Sequence, residues 1–341
     1  ELFNEDVAFI AAALIAISKW PVTIARMGLR FPFSPVFVAP MLYYLFRACK
    51  HRQRNDFLMT GLFLGVGLYG YSPFRVVAIL VLAILVLWPF LGQRLEQTDV
   101  SKYLANSLLL FALALLIFIP LLRYSFDHPG SFWYRTLTRI SGEERQIAGN
   151  PARIFAENAV NAALMFNWRG DEAWPNSIPE DPALDYISGG LFLLGTAYAL
   201  YRLLGFREWA YAFVLIGLGV MLLPSLLSLA FPNENPSVVR AGGAIPFVFI
   251  VAALPLAWIA RLLRQSGRGI AGAALIVLTL ALIARANYLR YFRDFDSSYR
   301  KASWNSSEVA AVISGFANSV GDFDHVWIML YPHWIDTRNV A

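Results

Sequence analysis

Nine apolar runs, each long enough to cross or nearly cross a bilayer, constrain this chain more than any other feature. They lie near residues 7–20, 35–48, 57–71, 76–92, 103–122, 190–204, 210–230, 245–263 and 270–286. Several fall short of the roughly 20 residues a straight span needs, so they must tilt, thin the bilayer locally or pack inside a bundle. Composition agrees, because 58% of the 341 residues are hydrophobic, only 15% are charged and the mean hydropathy is +0.53. A soluble domain of this size needs far more charge to solvate its surface. The expected fold class is therefore an all-α polytopic membrane protein with about nine transmembrane helices.

The connectors set the orientation. Segments 47–54, 92–102, 201–208 and 261–268 are short and, as a set, basic, so they belong in the cytoplasm. The same distribution explains the net charge of +5 and the pI near 9.3 without nucleic acid, since cations beside spans serve topology and anionic headgroups. Alternation then places outside the segments 21–34, 72–75, 123–187, 231–243 and everything after Asn287. The unusual polar sequence collects on that face.

Beyond the last span, Ser306 or Ser307 can cap a helix running to about Val320, with Glu308 in its first turn. Gly321 and Asp322 break it, and the β-rich stretch 325–330 follows. This pattern divides the chain into a transmembrane domain, 1–286, which includes the outer loop 123–187, and the beginning of an extracytoplasmic α/β domain, 287–341. The chain opens on ELFNEDV and stops at DTRNVA, so both ends read as cut.

Several chemistries lack their residues. The single Cys49 permits neither an intrachain disulfide nor a cysteine zinc site, and four scattered histidines have no metal spacing. There is no phosphate-binding glycine loop and no HExxH, and no span carries charge deep in its centre, which weighs against an ion-coupled transporter or lipid flippase.

The outer segments hold the candidates. In 18–35, Pro21, Pro32 and Pro35 disfavour a regular hairpin, while Arg26 and Arg30 share a face if the segment is helical. Two guanidiniums there suit a lipid-linked phosphate, which the planar fork binds bidentately, or they snorkel to ordinary headgroups. In YGYSPFR, Arg75 is a phosphate ligand or an interfacial anchor, and Tyr71 a ligand hydroxyl or part of an aromatic belt. In 231–246, prolines and paired glycines give irregular backbone, tolerated at membrane depth where it lines a cavity. There Glu234 can bond a sugar hydroxyl or pair with Arg240, with Asn235 between them. In the long loop, Trp168, Arg169 and Asp171 combine a stacking surface with donors and acceptors, as sugar sites do; an Arg–Asp pair beside a buried Trp is the structural alternative. The helix around 153–165 reads as interfacial.

With these residues in view, SKWPVTIARMGLRF, GLFLGVGLYGYSPFR, the NWRGD…W…P…DP…LD loop and NENPSVVRAGGAIP, in this order, resemble a GT-C-fold glycosyltransferase. The closest likeness is to family-39 prokaryotic relatives of protein O-mannosyltransferases and the lipid A aminoarabinose transferase. The resemblance implies an enzyme of a prokaryotic cytoplasmic membrane that moves a sugar from a polyprenyl-phosphate donor to an acceptor on the outer side. It implies donor-phosphate contacts at Arg26, Arg30, Arg75 and Arg240, and cavity or sugar contacts at Tyr71, Trp168, Arg169, Asp171, Glu234 and Asn235. It also implies a catalytic acid or base in a first outer loop, which would precede Glu1, so that residue is not nameable here. Glu5 and Asp6, placed in the cytoplasm by the topology, cannot replace it. No metal or other cofactor is firmly implied, and the partners are membrane lipids and the lipid-linked sugar. The competing expectation is a non-catalytic subunit of the same fold within a larger membrane assembly.

Overall fold

The computed structural model describes residues 2–91, 97–142, 144–302 and 306–327. In chain order its helices are α1 (Glu5–Ile17), α2 (Lys19–Arg26), α3 (Phe33–His51), α4 (Arg54–Gly67), α5 (Val77–Leu91), α6 (Gln97–Asp127), α7 (Pro129–Ile140), α8 (Pro151–Leu164), α9 (Tyr186–Phe206), α10 (Trp209–Leu226), α11 (Ile245–Gln265), α12 (Gly269–Leu289), α13 (Asp296–Ala302) and α14 (Ser306–Ala317). The protein is an all-α polytopic membrane protein, and each of the nine apolar runs has a helix as its core.

The number of full spans is smaller than the sequence suggests. Among the described residues six helical segments are long and apolar enough to cross, and the α1–α2 pair, bent by 56°, makes a seventh if it counts as one span. The runs in α3 and α4 do not qualify. With 14 residues, α4 rises only about 21 Å, well under a hydrocarbon core of roughly 30 Å. The 19-residue α3 carries Lys50 and His51 in its last turn.

The bundle is built around α11, of whose most apolar 18-residue window 83% is buried, against 11–39% for the other spanning helices. A helix apolar on all sides can face lipid or sit inside a bundle, and α11 takes the inner place. Its neighbours are α1, α9 and α12, with lesser contacts to α10 and α3. The approach of α9 is backbone-close, since a Cβ on Gly195 would lie 2.0 Å from the Val251 carbonyl oxygen. A second layer joins α4 to α3 and α6, where a Cβ on Gly61 would lie 2.4 Å from the Leu110 oxygen. Small residues at such crossings are how membrane helices gain contact without a hydrophobic driving force.

One end of the bundle carries the basic connectors, where Arg52 pairs with Asp99, Arg202 with Glu208, and Arg264 with Asp6 at 2.8 Å. The remaining segments gather away from it. Ser18 bends the chain between α1 and α2, and Pro21 sits in the first turn of α2, where its missing N–H costs nothing. So 19–26 is helical despite its proline. That helix stops at Arg26, and the chain turns through Gly28 (φ +64°) before α3, so Arg26 and Arg30 do not share a helix face.

The long stretch 123–187 is ordered rather than open. It holds the end of α6, then α7, then α8, which Asn150 caps and whose Asn158 side chain donates to the Leu226 carbonyl at 2.9 Å. Thus α8 is anchored on α10 as well as amphipathic. After residue 286 no break occurs: α12 passes through a π-helical turn, Arg290–Phe295, into α13. Then α14 ends at Ala317, and Phe323–His325 is a 3-10 turn. Half of the expected strand, 328–330, lies outside the described residues, and among those described there is no strand.

Candidate functional site

Four segments distant in sequence converge on one cavity of about 1040 Å³, at the upper end of the range for ligand pockets. Its wall takes Arg30 and Phe31 from the α2–α3 turn, Tyr71 from the turn before α5, Asp171 and Asn176 from the long stretch, and Glu234, Ser237 and Arg240 from the segment before α11. Arg139, near the end of α7, completes it. A second compartment of about 260 Å³ adjoins, lined by Arg75, Trp133 and Ile140 with Pro224 and Leu227 of α10 and its edge. Tyr71, Arg139 and Arg240 line both. The larger space is the more polar: it alone has carboxylates and amides in its wall, beside Leu29, Phe31, Phe33 and Val239, whereas the smaller is mainly apolar apart from Arg75, Arg139 and Arg240.

On the shared wall, Glu234 bridges the two arginines. One carboxylate oxygen accepts from Arg139 at 3.1 Å and the other from Arg240. Arg240 also donates to Ser228 Oγ at 3.0 Å, while Arg139 lies 3.9 Å above the Phe231 ring and reaches Glu144 at 3.3 Å. Arg30 sits 5.7 Å from the centre of the Tyr71 ring. Arg75 stacks on Phe132 at 3.9 Å, and its buried Nε and Nη1 make no hydrogen bond. Buried donors left unmatched are costly, so a cavity-facing arginine in this state suits an anionic ligand.

Asp171 is 4% exposed and accepts three hydrogen bonds, from Ala173 N (2.8 Å), Asn176 Nδ2 (3.0 Å) and Val238 N (3.1 Å). The last joins the long stretch to the segment before α11. Burial pushes its carboxyl above the usual 3.8, more than these hydrogen bonds and the nearby Arg240 pull it down.

A second charged knot pins the long stretch from behind. Asp181 receives Lys19 and is forked by Arg290, at 2.5 and 3.1 Å. Asp185 caps α9 and accepts from Asn287, whose side-chain oxygen takes the Lys19 N–H at 2.9 Å. Burial raises the Asp181 carboxyl, but the Arg290 hydrogen bonds and Lys19 outweigh it and hold it below the usual 3.8.

Of the residues expected from the sequence, Arg30, Tyr71, Asp171, Glu234 and Arg240 meet in the larger cavity, and Arg75 lines the smaller one. Four lie elsewhere. Arg26 packs over Tyr291 and Phe292, at 5.4 and 5.2 Å, because α2 ends there and points it toward the end of α12. Arg169 pairs with Glu172 and Glu180 rather than Asp171, and Trp168 beside it is 61% exposed rather than buried. Asn235 is turned inward to the Ser225 carbonyl and hydroxyl at 3.1 and 3.0 Å, a structural tie to α10. The sequence reading did not single out Arg139. Its signal was position: α7 places Trp133, Thr136, Arg139 and Ile140 along one face at three- and four-residue spacing.

Residues 1–124 match the family model described as dolichyl-phosphate-mannose-protein mannosyltransferase. The matched part contributes Arg30, Tyr71 and Arg75, while Arg139, Asp171, Glu234 and Arg240 lie beyond it. No curated protein and no solved structure matches the chain. The family match over residues 1–124, on a helical membrane bundle, supports a GT-C-fold glycosyltransferase that uses a lipid-linked sugar.

Proposed function

We propose that this protein transfers a sugar from a polyprenyl-phosphate donor to an acceptor on the outer side of a prokaryotic cytoplasmic membrane. One observation carries the proposal: Arg139 and Arg240 stand on the wall shared by a polar cavity and an apolar compartment. A lipid-linked sugar has this same division, with a phosphodiester between an isoprenoid chain and a hydroxylated ring. The chain would occupy the side of Trp133 and Leu227, the sugar the side of Asp171 and Asn176, and the phosphate the arginines between them.

That placement also supplies catalysis. As the bond from the anomeric carbon to the phosphate oxygen breaks, the leaving phosphate gains negative charge, and preorganised guanidiniums stabilise it more than they stabilise the bound donor. The outer-side assignment rests on the basic connectors at the opposite end of the bundle. A non-catalytic subunit is the second reading, favoured by one observation: the cavity carboxylates are already engaged, Asp171 by three donors, Glu172 by Arg169 and Glu234 by two arginines. Stoichiometric co-purification with other membrane proteins, and no transfer from any polyprenyl-phosphate sugar, would favour that reading.

The direct test is binding of a short-chain polyprenyl phosphate to the purified protein. Arg139→Ala and Arg240→Ala should each weaken it about tenfold or more, the scale of one charge-assisted contact. Unchanged affinity in a folded variant refutes the site.

A further inference from the structure

Glu234 closes the arginine pair. Glu234 does not hold the arginines from the side; its two oxygens take one guanidinium each, on the wall where the two cavities meet. That is the arrangement in which two oxygens of a phosphate would be held. Both arginines are largely withdrawn from water, with side chains 23% and 17% exposed, whereas the Glu234 side chain is 38% exposed and faces the larger cavity. The acid is the most exposed of the three side chains and sits in a three-residue 3-10 turn, Pro232–Glu234. Arg240 begins the turn leading into α11, and Arg139 is fixed by the Phe231 ring and by Glu144.

We infer that Glu234 is an internal stand-in for the lipid phosphate: it neutralises Arg139 and Arg240 in the empty site and is displaced into the larger cavity when a phosphate arrives. This inference rests on the phosphate site proposed above. It adds a competition that the site must overcome. The apparent affinity for any phosphate is reduced by the fraction of molecules in which the carboxylate already occupies the arginines. In the absence of donor the same contact keeps two like charges compensated, which explains how a phosphate site can persist empty beside an apolar compartment. On displacement Glu234 becomes an unpaired carboxylate in the space assigned to sugar and acceptor, so donor binding and the appearance of that charge are coupled.

The sign of the test is unusual, since removing a charged residue from a binding site should strengthen binding. Farnesyl phosphate is titrated against the full chain in detergent, using the wild type, Glu234→Gln and Glu144→Gln, with farnesol as the neutral probe. Glu144 touches Arg139 but does not line either cavity, so its variant removes one negative charge from the same arginine without vacating the phosphate position. The inference expects Glu234→Gln to bind farnesyl phosphate about fivefold tighter or more, Glu144→Gln to change it less than twofold, and farnesol to be unaffected throughout. Equal gains in the two variants would mean that net charge alone is at work and would overturn it. Equal or weaker binding by Glu234→Gln, with the wild type binding normally, overturns the inference and leaves the proposed phosphate site standing. Binding by neither wild type nor variant overturns both. Binding only after Glu234→Gln supports the inference, with the acid as the dominant competitor.

Discussion

Asp171 offers the sharpest energetic prediction, because its three hydrogen bonds differ in what their loss would cost. Ala173 is exposed, so water replaces the carboxylate at its N–H for little. Val238 is 2% exposed, and removing its acceptor strands a buried N–H at about 1–3 kcal/mol. The half-buried Asn176 amide adds roughly 1 kcal/mol. Asp171→Ala should therefore lower stability by about 2–4 kcal/mol. Asp171→Asn should recover most of this, since the Val238 N–H and the Asn176 amide donate to the same carboxylate oxygen, which the new amide oxygen can replace, leaving a donor only toward the exposed Ala173 N–H. The assay is reversible unfolding in mixed micelles, read by tryptophan fluorescence. Linkage gives a second readout. The folded carboxyl is pushed above its usual 3.8 by burial, so its contribution is greatest below that value and is lost as pH rises through the raised one. The asparagine variant lacks this slope. A loss under about 0.5 kcal/mol for Asp171→Ala would refute the reasoning that this bond joins the cavity walls.

Four further outcomes follow from the same geometry. Arg26→Ala should leave polyprenyl-phosphate affinity within about twofold, since Arg26 packs on Tyr291 and Phe292; a loss comparable to Arg240→Ala in the same titration would contradict the site. Asp181→Asn strands the buried Lys19, while the half-exposed Arg290 keeps Asp294, and should cost about 3 kcal/mol in the unfolding assay. The Asp181 carboxyl is held below 3.8, so its contribution is present above that pH and lost as pH falls through the lower value; the variant should show a shallower acid-unfolding profile. Gly195→Ala places a Cβ 2.0 Å from the Val251 oxygen and should cost about 1–3 kcal/mol or more by thermal unfolding, whereas Gly205→Ala, with open space around it, should not.

The helical bundle was legible because apolar run length and connector charge are local properties of the sequence. Arg30, Tyr71, Asp171, Glu234 and Arg240 were legible for a related reason: each lies in a short or irregular segment at the face that topology assigns to chemistry. What could not be read was direction. Arg26 and Arg30 are four residues apart in a stretch that looks like one unit, yet the helix ends between them and Gly28 sends them to different places. Arg169 has acids three and eleven residues away as well as its near neighbour Asp171, and only the folded turn shows that Glu172 and Glu180 receive it. Arg139 was hidden in an amphipathic helix whose cavity-facing side depends on where α10 and the segment before α11 come to rest. The pairing of Lys19, Asp181 and Arg290 spans 162 and 109 residues, distances at which sequence spacing carries no signal.

The central claim is that a lipid-linked phosphate sits at the junction of two cavities, between Arg139 and Arg240. An experimental structure of the full chain with a short-chain polyprenyl phosphate tests it most directly. The account predicts the phosphate within hydrogen-bonding distance of both guanidiniums, the isoprenoid chain beside Trp133 and Leu227, and Glu234 turned away into the larger cavity. A phosphate seated at Arg26, or an isoprenoid chain lying in the polar cavity, would contradict it.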